Sequence, residues 1–91
     1  MKLPPLTALM YFTEAAAQGS FKAAAQSLNV TESAVSRQIR QLEIFYEQPL
    51  FKRAGRAVEL SEIGHRLLAA SGPAFQQISQ VTAELTGAPT Q

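Results

Sequence analysis

The sequence predicts a mainly α fold: three short helices around one small core, a β-hairpin, and a long fourth helix. Three observations carry this. Apolar residues recur at steps of three and four in three segments, and one more carries a helix-favouring run of alanines. Cap and turn residues (Gly19-Ser20, Asn29-Val30-Thr31 and Ser61) fall between those segments. Between the third and fourth, Lys52 to Leu60 alternates about Gly55, as a tight hairpin does.

The stretch from Ser20 to Leu42 is the most informative. It reads as a short helix, a three-residue turn and a longer helix, the layout of a helix-turn-helix that pushes its second helix into the major groove of DNA. With the hairpin as a wing, the expectation is a winged helix-turn-helix, a three-helix core plus β-hairpin wing, followed by a long linker or dimerisation helix.

Each element has a local cause. Pro4 and Pro5 block an earlier helix, so the first should begin near Leu6 or Thr7. Leu6, Leu9, Phe12 and Ala16 are its expected buried face. Gly19 accepts the left-handed conformation that stops a helix, and Ser20 offers a hydroxyl to cap the next. The second helix covers about Phe21 to Leu28, where Ala23 to Ala25 favour helix and allow close approach. Asn29 tolerates the left-handed turn, Val30 plugs the gap between helices, and Thr31 caps the third helix. That helix runs from about Glu32 to Tyr46, with Val35, Ile39, Leu42 and Tyr46 or Phe45 as its core stripe, and Pro49 ends it. Leu50 and Phe51 anchor the next segment in the core.

Ser61 can cap a final helix reaching about Leu85. Ile63, Leu67, Ala70, Ala74, Ile78, Val81 and Leu85 are spaced four, three, four, four, three and four, close to a heptad seam. Such a seam suits pairing with a second, identical helix. Gly72-Pro73 should kink or weaken it. The expected organisation is thus residues 1–60 as the DNA-binding unit, 61–86 as the dimerisation helix, and 87–91 as a tail or the start of a linker.

Composition narrows the function. With 91 residues, 46% hydrophobic and 16% charged, the chain suits one folded domain with a modest core. It has no cysteine and one histidine, so neither a disulfide framework nor a metal site is expected. No apolar run reaches membrane-spanning length and no secretory signal opens the chain, so a soluble, cytoplasmic protein is expected. Net charge is only +1, but its distribution is uneven. Arg37, Arg40, Lys52, Arg53 and Arg56 face only Glu43 and Glu47 across residues 37–56, a local net of +3. That is where an electrostatic footprint on DNA should fall.

The reading surface follows from helical geometry. Glu32, Ser33, Ser36, Arg37 and Arg40 share the face turned away from the core stripe. The first turn of a recognition helix enters the groove deepest, so the short Thr31, Ser33 and Ser36 belong there. Arg37 can fork onto guanine O6 and N7 or onto phosphate, and Arg40 suits the backbone. Glu32 could accept from a cytosine amino group, or simply complement the helix dipole. In the wing, Arg56 suits the minor groove and Arg53 phosphate, with Lys52 beside them; the alternative is that both arginines are solvated loop charges. His65 reads as a surface or packing residue, and Tyr11, Phe12 and Phe21 as core. Glu14, Glu43 and Glu47 form no catalytic constellation, and no nucleotide, metal or nucleophile motif is present. No enzyme activity and no cofactor are expected. The competing expectation is a protein-interaction module, favoured by the low net charge and Glu32.

From Leu6 to about Leu85 the chain resembles the N-terminal DNA-binding domain of LysR-type transcriptional regulators. The matching landmarks are Leu9, Phe12, Gly19-Ser20-Phe21, Ala24-Ala25, Leu28, Val30-Thr31 and A-V-S-R-Q-I from Ala34 to Ile39. Leu42-Glu43, Pro49-Leu50-Phe51, Arg53, Leu60-Ser61 and Gly64 complete the set without a gap. The opening Leu3-Pro4-Pro5-Leu6 is similar to the subgroup of glycine-cleavage and β-lactamase activators. The resemblance implies antiparallel pairing of linker helices, a homodimer, and one imperfect palindrome of double-stranded DNA as partner. It also implies that Glu32, Ser33, Ser36 and Arg37 face bases and that Arg56 enters the minor groove. A small-molecule effector would act only through a C-terminal domain absent from this chain. Three positions depart from the pattern: Glu47 where glycine is usual, Glu32 where glutamine is common, and Ser61 for a threonine cap.

Overall fold

The computed structural model describes residues 1–54 and 57–87, apart from the side chains of 53 and 54. Chain order is α1 (Leu6–Gln18), α2 (Phe21–Leu28), α3 (Glu32–Tyr46), β1 (Phe51–Ala54), β2 (Ala57–Leu60) and α4 (Glu62–Thr86). The winged helix-turn-helix architecture and the long fourth helix are therefore both present. The tail at 88–91 lies outside the described residues.

The helix boundaries are set by their caps. Pro5 precedes α1, and Gly19 closes it at φ 77°. Ser20 Oγ accepts the Ala23 N–H and starts α2; Asn29 closes it at φ 58°. Thr31 Oγ1 accepts the Ala34 N–H and starts α3. That helix closes at Glu47, which sits at φ 56°, two residues before Pro49. A left-handed glutamate carries the Cβ clash that glycine avoids. The position where glycine is usual is thus one that needs a positive φ.

The core is small and built where helices cross. Ala8, Phe12, Ala15, Ala24, Ala25, Val35, Ile39, Leu42 and Leu50 are buried. Four buried alanines, Ala8 and Ala15 from α1 and Ala24 and Ala25 from α2, let these helices approach closely. Phe51 extends the core from β1, its ring 5.4 Å from Phe12 and 5.4 Å from Phe21.

The face of α1 differs from the expected one. Phe12 is buried, but the stripe runs Ala8, Phe12, Ala15, while Leu6 is 56% exposed. Both stripes pass through Phe12 at helical spacing. The choice falls to α2, α3 and α4, which all pack on α1 and need its small side chains between them.

β1 and β2 pair antiparallel, with Phe51 opposite Leu60, Lys52 opposite Glu59, Arg53 opposite Val58 and Ala54 opposite Ala57. Ser61 then caps α4 by accepting the Gly64 N–H at 3.0 Å. Gly64 is required by packing: a Cβ there would collide with the Leu50 carbonyl oxygen.

α4 continues through Pro73 to Thr86. It packs on α1, with the Ser71 hydroxyl against that of Thr13; Ser71 is buried and Phe75 half-buried. Ile63 and Leu67 belong to this inward packing, since both lie against the core. The seven residues of the expected seam are thus not equally exposed. Its unpartnered part begins later, and Ala70, Ala74, Ile78, Val81 and Leu85 are exposed. The reason is geometric: a 25-residue helix is about 37 Å long, more than the three-helix core can cover.

Candidate nucleic-acid interface

α3 is amphipathic about the core. Val35, Ile39 and Leu42 point inward. On the opposite side Thr31, Glu32, Ser33, Arg37 and Arg40 are exposed, and Ser36 is half-buried. Six of the sequence-derived contact residues are thus brought onto one continuous strip.

The chemistry of this strip is uneven in a useful way. Thr31 Oγ1 is committed to the Ala34 N–H at 3.1 Å and lies 3.2 Å from Ser33 Oγ. These two hydroxyls form a local pair at the start of the helix and keep each other oriented. Arg37 and Arg40 have no ion-pair or hydrogen-bond partner among the described residues. Glu32 lies in the first turn, where a carboxylate complements the helix dipole.

Beside α3 a narrow cleft of about 120 Å³ runs toward the wing, lined by Phe21, Ser36, Ile39, Arg40, Glu43, Phe51 and Val58. Its walls are one face of α3, Phe21 at the start of α2, and Phe51 and Val58 of the hairpin. Lys52 is elsewhere. It lines a separate, open depression with Glu59, Leu60, Glu62, His65 and Arg66. Its charge is opposed across the strands by Glu59. The Arg53 backbone pairs with Val58, but its side chain and the whole of Arg56 lie outside the described residues.

Glu43 entered the sequence reading only as a landmark of the resemblance and as part of no catalytic constellation, without a structural task. Its Oε2 accepts the Leu50 N–H at 2.7 Å, joining α3 to the start of the hairpin. The available signal was its spacing, three residues from Arg40 and seven from Ser36 on the same face. Phe75 was missed because Ala74 fits the heptad spacing as well.

Comparison with known proteins fits this geometry. The model of the bacterial regulatory helix-turn-helix proteins, lysR family, matches residues 6–65. The chain belongs to that family. Its matched span runs from the start of α1 into α4, so it includes the whole recognition helix and the wing. The AhcY transcriptional activator HvrB of Rhodobacter capsulatus is 42% identical over 89 residues, covering 98% of this chain and 30% of that protein. The glycine cleavage system transcriptional activator of Escherichia coli is 42% identical over 84 residues, covering 92% of this chain and 28% of its own length. The chain thus spans under a third of these curated relatives. Among solved structures, the BenM DNA-binding domain in complex with catB site 1 DNA superposes with a TM-score of 0.80 at 27% identity, covering 90% of this chain and 92% of that one. This LysR-type chain is a winged helix-turn-helix DNA-binding domain of a transcription regulator.

Proposed function

We propose that the domain reads double-stranded DNA by laying the exposed strip of α3 in the major groove. Thr31, Ser33 and Ser36 approach base edges, Arg37 forks onto a guanine or a phosphate, and Arg40 holds the backbone. Glu32 caps the dipole of α3 and borders the base-reading turn. The single observation that carries this reading is the pair Arg37 and Arg40, exposed and without a partner among the described residues, on a helix whose Val35, Ile39 and Leu42 are committed to the core. Two exposed guanidiniums one turn apart offer forked donors to base edges or phosphates.

The wing supplies the second contact, Arg56 in the minor groove and Arg53 on phosphate. Lys52 contributes long-range attraction only, because Glu59 stands opposite. The domain works as a homodimer through the exposed half of α4, which places two recognition helices on an imperfect palindrome. Residues 1–60 bind DNA and 61–86 dimerise. The work is done in the cytoplasm, without catalysis, and an effector would reach it only through a region outside this chain. No helix among the described residues is long and apolar enough to cross a membrane.

The deciding experiment is selection of duplexes from a random pool, followed by anisotropy titration at several salt concentrations. The logarithm of affinity should fall linearly with the logarithm of salt, at a slope of about −0.9 for each neutralised phosphate. Failure to enrich any sequence refutes specific reading. A flat salt response refutes phosphate contact.

A further inference from the structure

Pro49 and Leu50, between α3 and the hairpin, are gripped from several sides. Glu43 Oε2 accepts the Leu50 N–H at 2.7 Å. The Leu50 carbonyl accepts the Ser61 N–H at 2.9 Å. The Pro49 carbonyl accepts the Ser61 hydroxyl at 2.8 Å. The Leu50 side chain is fully buried, and Gly64 presses against its carbonyl. Two residues therefore tie α3, the hairpin and the first turn of α4 together. The side-chain tie from α3 is Glu43.

A carboxylate is a costly choice at this place. Glu43 shares the α3–hairpin cleft with Ser36 and Arg40, on the side where phosphates approach, and its charge is repelled by them. What it supplies in return is an acceptor for a buried N–H, and a charged acceptor makes the stronger and shorter bond. Without it the Leu50 N–H is left unsatisfied in the core.

We propose that Glu43 is a positioning residue for DNA recognition. Its bond to Leu50 fixes the distance of the hairpin from α3, so that the two DNA contacts keep one register. This rests on the reading that both α3 and the wing touch DNA. Glu43 itself need not touch the duplex; it acts through the Leu50 main chain.

The test uses a duplex selected by the wild-type chain, footprinted, and a shortened version lacking the pairs beneath the hairpin. Three variants separate charge from reach. Glu43→Ala removes the acceptor, Glu43→Asp keeps the charge but falls one methylene short, and Glu43→Gln keeps an acceptor at full length. Amide hydrogen exchange at Leu50 is followed in each. We expect Glu43→Ala and Glu43→Asp to bind the full duplex about tenfold more weakly, the loss of one hydrogen bond to a buried main-chain N–H. On the short duplex they should stay within about twofold of wild type, because α3 alone is read there. Exchange at Leu50 should accelerate in both and remain slow in Glu43→Gln, which should bind at least as tightly as wild type. Equal loss on both duplexes, a Gln variant as weak as Ala, or unchanged Leu50 exchange overturns the proposal. A wild-type chain that binds both duplexes equally well removes the wing from the interface and overturns the underlying reading as well; wild type alone reveals that failure.

Discussion

The Thr13 and Ser71 hydroxyls meet at 2.9 Å where α4 crosses α1. Thr13 Oγ1 also donates to the Leu9 carbonyl at 2.8 Å. Its single hydrogen is thereby used, so Ser71 must be the donor of the inter-helix bond. One polar contact thus marks the place where the last helix is fastened to the body, 58 residues apart in sequence.

The two partners of that bond should not be equivalent. Ser71→Ala leaves Thr13 with its Leu9 bond and should cost about 1 kcal/mol. Thr13→Val removes the acceptor and strands a buried Ser71 hydroxyl, so it should cost more. Urea denaturation of both variants checks this, and equal losses contradict the assigned direction.

Glu47 at φ 56° should be replaceable with profit. Glu47→Gly relieves a left-handed strain of about 1 kcal/mol, part of which is offset by the freer unfolded chain. The denaturation midpoint should rise. Asn29→Gly should change little, because asparagine already tolerates φ 58°.

Tyr46 gives the alkaline limit. Burial holds its phenol above the ordinary value of 10.0. The fold therefore favours the neutral form. That contribution is complete below the unfolded value and is lost as pH rises through the folded one. Stability should decline above about pH 10, and Tyr46→Phe should decline less. Equal alkaline slopes would take Tyr46 out of the account.

Arg37→Ala should weaken binding to the selected duplex by about 1–3 kcal/mol and relax discrimination at one base pair. Competition between selected and scrambled duplexes measures this. Undiminished discrimination with a smaller salt slope would move Arg37 from base to phosphate.

Ile78 is 61% exposed, Val81 44% and Leu85 82%, all on the stretch of α4 that the body does not cover. Ile78→Asp should therefore leave the monomer fold intact and weaken palindrome binding more than half-site binding. Light scattering reports the assembly directly. A variant that remains dimeric would place the interface elsewhere.

Much of this molecule is legible residue by residue. Ser20, Thr31 and Ser61 cap their helices as their hydroxyls suggest, because an N-cap bond spans only three residues. Gly19 and Asn29 turn left for equally local reasons. The exposed strip from Thr31 to Arg40 is legible too, since it is the complement of the Val35, Ile39, Leu42 stripe. The membership of the α4 stripe was not. Ile63 and Leu67 belong to the same three-and-four pattern as Ile78 and Val81, yet the first pair lies on the core and the second in solvent. Periodicity reports which side of a helix is apolar, never how far the neighbouring body extends.

By itself the sequence determined the order of elements, the caps that start and stop them, and the charged outer side of α3. These depend on interactions within a few residues, where backbone geometry leaves little choice. Tertiary structure alone decided the phase of α1, the length of α4 left bare, and the task of Glu43. Each of those depends on what lies across a gap: three helices crowding α1, the edge of the core beneath α4, and a main-chain N–H seven residues further along, offered only once the wing has folded back.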